Sequence, residues 1–271
     1  MIAIIDCGMG NLRSVEKALH KLGYPASITS HAPTVAKAAG VVLPGVGAFA
    51  KAMVALRRAN LDVAIKKVIE DGKPFMGICL GLQLLFEASE EFGEIEGLGV
   101  LRGRVTRLSG PAFAAHAATR LEGGGNLAEL AAAAASRPGK RPAAPAWDPV
   151  PEDFGKPKPA ERSGPPGQGL KVPHVGWNSI RIANLHPVLA GIPEGSMFYF
   201  VHSYAPAPEE TDLIRTTTTY GVEFVSAVGR RSLFACQFHP EKSGRVGLRV
   251  LENFARLAYP KGPTEPPAFS A

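Results

Sequence analysis

The 271-residue sequence has little cysteine: Cys7, Cys79 and Cys236 are the only three. Thiols so few and so widely spaced exclude a disulfide framework and fit a reducing compartment. Long apolar runs are missing too. No stretch approaches the roughly 18 apolar residues of a membrane-spanning helix. The apolar start, Met1-Ile2-Ala3-Ile4-Ile5-Asp6, falls short of a signal peptide's core and lacks a basic leader. These absences predict a cytoplasmic chain that is neither exported nor held in a membrane. Runs of like charge are absent as well: 30 Lys and Arg against 24 Asp and Glu leave a formal charge of +6, spread along the chain. That argues against a nucleic-acid partner and leaves the basic excess to a phosphorylated metabolite or an acidic partner protein. What is present is a hydrophobic content of 45%, enough for one full core with an accessory segment.

Residues 2–6 read as a buried strand ending at the glycine turn Cys7-Gly8-Met9-Gly10-Asn11. Val15, Ala18, Leu19 and Leu22 then recur at helical spacing, and Gly23 stands just beyond, where a left-handed cap is easily adopted. Strands are expected near 26–28 and 41–43, a helix over 61–68, and a central strand at 75–78. The fold class that follows is α/β, an open and mostly parallel sheet with helices on both faces. After a change of character, strands resume at 197–201, 213–218, 224–228 and 233–238, and an amphipathic helix is expected over 245–257.

The change of character is residues 110–169, whose 60 positions hold 15 Ala, 10 Pro and 9 Gly. Such bias points to a low-complexity insertion. It is expected to be a mobile excursion, because few large apolar groups offset its ordering entropy. Asn126-Leu127-Ala128-Glu129 resembles a capping box, so one short helix is expected within it. Phe113, Trp147 and Phe154 are the residues able to dock it. The organisation expected is one domain over 1–258, interrupted at 110–169, with a loose tail at 259–271.

The sharpest local pattern is Gly77-Ile78-Cys79-Leu80-Gly81-Leu82-Gln83, a strand entering a helix through a cysteine with a glycine two residues to either side. This is the pattern of a nucleophile elbow, a tight turn with a reactive side chain at its tip and no room for larger neighbours. A thiol there would face the positive end of the helix dipole. A buried cysteine between packing glycines fits the same residues. His239-Pro240-Glu241 follows the apolar run 233–238, at the carboxyl edge where parallel sheets gather functional groups. Pro240 is expected to keep this segment extended, so that His239 and Glu241 project to one side. Alone, such a tripeptide also reads as an exposed turn. Joined to the elbow, in the order Cys, His, Glu, it reads as nucleophile, base and orienting carboxylate. Cys236 has no elbow and is expected to pack as a small hydrophobe.

The elbow and Gln237-Phe238-His239-Pro240-Glu241 together resemble the class I glutamine amidotransferases. Gly10-Asn11-Leu12-Arg13-Ser14, Pro44-Gly45-Val46-Gly47-Ala48-Phe49, Val172-Pro173-His174-Val175-Gly176-Trp177-Asn178, Tyr199-Phe200-Val201-His202-Ser203-Tyr204 and the continuation Lys242-Ser243-Gly244 narrow the resemblance to the glutaminase subunits of imidazole glycerol phosphate synthase, in histidine biosynthesis. It covers residues 1–108 and 170–258. It implies that Cys79 attacks the glutamine side-chain amide, His239 carries the proton to departing ammonia and Glu241 orients His239. It places the oxyanion between the amides of Leu80 and Val46, the latter after the segment holding Gly45 and Gly47 turns inward. Gln83, Glu91, Ser203 and Tyr204 would surround the glutamine. Asn11, Trp177, Asn178 and Lys242 would face a cyclase partner, a barrel protein forming a heterodimer with this chain, although Trp177 also reads as a core aromatic. No cofactor and no metal is implied. Another class I amidotransferase subunit, a free-standing γ-glutamyl cysteine hydrolase and a non-catalytic binding subunit are the competing readings. The insertion departs from the family pattern and puts the partner-facing surface in doubt, since Trp177 follows soon after Gly169.

Overall fold

β1 (Ile2–Ile5) is apolar and buried along its whole length, as a strand covered on both faces must be. The structure, a computed structural model, describes residues 1–8, 10–113 and 169–263. α1 (Leu12–Lys21) closes on Gly23 at φ 81°, with the Gly23 N–H on the His20 carbonyl at 2.9 Å and the Tyr24 N–H on that of Leu19 at 3.0 Å. That is a Schellman motif, and glycine takes its left-handed position without steric cost. There follow β2 (Ala26–Thr29), α2 (Ala32–Lys37), β3 (Gly40–Gly45), α3 (Phe49–Arg58), α4 (Leu61–Glu70), β4 (Phe75–Cys79) and α5 (Leu80–Gln83). β5 (Phe86–Ser89), β6 (Ile95–Glu96) and β7 (Leu101–Arg107) precede the expected insertion. After it come β8 (His174–Ser179), β9 (Arg181–Ile182), β10 (Met197–His202), β11 (Tyr204–Pro208), β12 (Ile214–Tyr220), β13 (Val222–Arg230), β14 (Leu233–Cys236) and α6 (Gly244–Ala258). The sequence did not announce α2, α3, β5 to β9 or β11.

The main sheet has eight strands in the order β2-β1-β3-β4-β14-β13-β12-β9. The pairings from β2 to β14 are parallel, and antiparallel pairings through β13, β12 and β9 extend the edge. Successive side chains point to opposite faces, so each strand feeds two cores. Ile2, Ile4, Met76 and Phe234 pack with Val15 and Leu19 of α1 and Val250 and Phe254 of α6. Ala3, Ile5, Phe75 and Ala235 pack with Val35 of α2, Met53 of α3 and Ile65 of α4. Each fully buried large side chain contributes about 1.5–3 kcal/mol relative to exposure. A four-stranded sheet, β11-β7-β5-β6, and a β10-β8 ribbon complete the fold. Among the described residues, no helix is long and apolar enough to cross a membrane.

Phe113 lies inside the stretch expected to be an insertion, yet it is buried in the core, with its ring 5.9 Å from that of Tyr220. The Leu170 N–H donates to the Ala112 carbonyl at 2.9 Å, so residues 112 and 170 lie side by side. The expected helix near 126–135, and Trp147 and Phe154, lie outside the described residues.

Candidate active site

The carboxyl end of β4 makes the elbow. Cys79 has φ 54° and ψ −108°, a strained backbone for a residue other than glycine. Steric crowding explains its neighbours: a Cβ on Gly77 would lie 2.8 Å from the Gly81 carbonyl oxygen, and one on Gly81 only 1.7 Å from that of Leu43. The helix after the elbow is a single turn, Leu80–Gln83, because the chain goes straight on to β5. A dipole of one turn is small. It is therefore the turn that presents the thiol.

β14 lies beside β4, with Cys236 opposite Ile78, so the chain leaving β14 passes the elbow. Pro240–Lys242 is a 3-10 turn and not the extended segment expected; the fixed φ of proline suits the start of a helical turn as well as an extended chain. The turn itself brings the side chains together. His239 Nδ1 lies 2.8 Å from Glu241 Oε1, and both side chains are buried. The His239 N–H donates to the Tyr199 carbonyl at 2.9 Å, and Ser243 Oγ donates to the His239 carbonyl at 2.6 Å, fixing the backbone. Burial acts to lower the His239 pKa, but hydrogen bonding and charge from Cys79 and Glu241 outweigh it and raise the value to about 9. Nε2 completes no hydrogen bond in this arrangement. The sulfur itself lies 3.8 Å from the Val201 carbonyl and accepts from Gln237 Nε2 at 3.5 Å. Burial pushes the Cys236 thiol well up, as befits a packing residue.

Cys79 opens into a cavity of about 280 Å³ walled by Val46, Gly47, Leu80, Gln83 and Glu91 on one side and Val201, Ser203 and Tyr204 on the other. Gly45 lies opposite Cys79 in the ladder between β3 and β4. Glu91 Oε2 accepts the Phe49 N–H at 2.5 Å, capping α3 just beyond the Pro44–Ala48 segment. Gln83 Nε2 donates to both the Tyr204 carbonyl and Gln237 Oε1 at 3.0 Å. Away from the cavity, Asn11 and Lys242 are exposed, Lys242 Nζ standing 5.8 Å from the centre of the Tyr199 ring. Trp177 is 43% exposed, whereas Asn178 is buried and donates to the Thr219 carbonyl at 2.9 Å. Sequence reasoning gave no role to Gln237, nor to the buried pair His174 and His202, whose Nδ1 and Nε2 lie 3.1 Å apart. A larger cleft of about 420 Å³ opens at the amino ends of β4 and β14, beside Lys66, Gly72 and Arg231, and has no thiol or histidine on its walls. Among the described residues, no three His, Cys, Asp or Glu side chains converge as a metal would need.

The family model of glutamine amidotransferase class-I matches residues 3–257. Three relatives share the description imidazole glycerol phosphate synthase subunit HisH. The chain is 43% identical over 256 residues to that of Moorella thermoacetica, covering 94% of each chain. It is 41% identical over 257 residues to that of Syntrophotalea carbinolica, covering 95% of this chain and all of the relative. The protein of Aquifex aeolicus is 41% identical over 256 residues, 94% of this chain and 96% of its own. A crystal structure described as a glutamine amidotransferase superposes with a TM-score of 0.56 at 16% identity, covering 96% of this chain and 100% of the other.

Proposed function

The chain belongs to the glutamine amidotransferase class-I family, and on that premise we propose that it is the glutaminase subunit of an imidazole glycerol phosphate synthase. The observation that carries this is the strained Cys79 elbow, which opens into one cavity and lies beside a buried His239 and Glu241 pair. Cys79 Sγ, its proton passed to His239, attacks the side-chain carbonyl carbon of glutamine, and the Leu80 amide together with the Val46 amide, once its segment turns inward, receives the oxyanion. His239, protonated at neutral pH with its value near 9, gives its proton to the departing nitrogen. Ammonia leaves and a thioester remains. Water then attacks the thioester while His239 takes up a proton, releasing glutamate and the free thiol. Glu241 holds the imidazole through Nδ1 and keeps Nε2 for the sulfur. Gln83, Glu91, Ser203 and Tyr204 bind the glutamine.

The ammonia passes to a cyclase subunit, a barrel protein paired one to one with this chain in the cytoplasm. Trp177, Asn11 and Lys242 face that partner, whereas Asn178, expected beside them, is buried under the strand with its amide on the Thr219 carbonyl. The amidotransferase domain spans 1–258, interrupted after the buried Phe113 and resumed by Leu170, and 259–271 follow it. The test is Cys79→Ala in the assembled synthase. Glutamine-dependent synthesis should vanish while synthesis from ammonium salts persists, because only ammonia generation is lost. Glutaminase surviving in that variant would overturn the assignment.

A further inference from the structure

Gln237 is fully buried between β14 and His239, and its side chain joins two groups of the site. Its Nε2 donates to Cys79 Sγ at 3.5 Å, and its Oε1 accepts from Gln83 Nε2 at 3.0 Å. The amide cannot turn over without placing a donor against a donor, so its orientation is set. Gln83 is fixed in turn by its second bond, to the Tyr204 carbonyl. That carbonyl also accepts from His202 Nδ1 at 2.9 Å. A carbonyl only accepts, so in a neutral ring Nδ1 of His202 carries the proton and Nε2 is left to accept from His174 Nδ1 at 3.1 Å. His174 Nε2 then accepts from Asn178 Nδ2 at 3.3 Å. One set of tautomers satisfies the whole chain, from β8 to the sulfur. Burial foremost holds His174 near 4 and His202 near 3, which keeps both rings neutral.

We propose that Gln237 is a positioning residue of the glutaminase reaction, its amide donor holding the Cys79 sulfur in the attacking place while Gln83 and the buried histidine chain hold the amide. This rests on the reading of Cys79 as the nucleophile. As a thiol, Cys79 meets the Val201 carbonyl, an acceptor, at 3.8 Å. Once the sulfur has lost its proton that contact has nothing to donate, and the Gln237 N–H is the contact that still fits a charged sulfur. The donor therefore acts as the sulfur goes into reaction and leaves glutamine binding alone.

Two substitutions in the complete synthase test this. Gln237→Met removes both polar atoms at similar volume, and Gln237→Glu removes the donor while keeping the acceptor that Gln83 needs, so the second stands if the first misfolds. A hydrogen bond to a charged group is worth roughly a ten- to hundredfold effect. We expect glutaminase kcat to fall by about that factor in both, with ammonium-dependent synthesis near the parent's and slower alkylation of Cys79 by iodoacetamide, and with KM for glutamine held in Gln237→Glu, which keeps the Gln83 acceptor. Unchanged kcat and alkylation in either folded variant would overturn the role, and a loss confined to KM or melting temperature would show that Gln237 only packs. Cys79→Ala run alongside separates the failures. Glutaminase surviving there overturns the functional reading and this proposal with it, whereas glutaminase lost there but undiminished in the Gln237 variants overturns the proposal alone.

Discussion

His239 holds its proton to about pH 9 although burial works to strip it, because Cys79 and Glu241 both favour the charged ring. A folded-state value above the ordinary 6.5 means that this pairing stabilises the protein fully below about 6.5 and that the contribution is lost as pH rises through about 9. Activity follows the same group, since the imidazolium is the acid that releases ammonia. Glutaminase turnover in the complex is thus expected to hold through neutral pH and fall on an alkaline limb near 9. Glu241→Gln keeps an acceptor for Nδ1 but removes the charge, so the limb should move to lower pH and kcat drop by roughly tenfold or more. A pH profile that keeps its alkaline limb in that variant would show that the carboxylate does not govern the ring.

Among the elements, β8 separates two jobs along one strand by its alternation. Trp177 points out and Asn178 points in, where its amide serves the Thr219 carbonyl and His174. Asn178→Leu leaves the Thr219 carbonyl and the buried His174 Nε2 without that donor, at about 1–3 kcal/mol, and should lower the melting temperature by several degrees, with partner affinity reduced only as far as the strand shifts. Trp177→Ala should do the reverse, weakening cyclase binding in a titration while the isolated chain melts near the parent. If both variants behaved alike, the division would be wrong. The His174 and His202 pair adds a sign opposite to that of His239: held neutral at about 4 and about 3, the two stabilise the fold above about 6.5 and lose that contribution as pH falls through those values. β1, β3, β4 and β14 were legible because each is a short run buried along its whole length, and the elbow glycines because their crowding is local. α3 was not legible. Ala48 offers no capping side chain, and the acceptor comes from Glu91, 42 residues away. Gln237 was hidden in the same way, its partners Gln83 and Cys79 lying 154 and 158 residues off in sequence. Pro240 misled because its fixed φ serves an extended chain and the start of a 3-10 turn equally.

At the scale of the whole molecule, the sheet, both cores and the site are built from residues on either side of the expected insertion, joined where Leu170 meets Ala112. Phe113 belongs to this junction and not to what lies beyond it, since it is buried against the core beside Tyr220. With the two ends already held together, a long connection and a short one differ little in closure entropy, about 0.6 kcal/mol per doubling of length. Replacing residues 114–168 by a short Gly-Ser linker, with Ala112, Phe113 and Leu170 kept, should therefore leave the melting temperature within a few degrees of the parent's. β8 begins at His174, just past the junction, and carries Trp177 toward the proposed partner face. Glutamine-dependent synthesis with the cyclase is the measurement that decides what the segment does: near-parent rates make it a passive excursion, whereas a shortened chain that folds and hydrolyses glutamine but no longer couples to the cyclase would place the insertion in the interface.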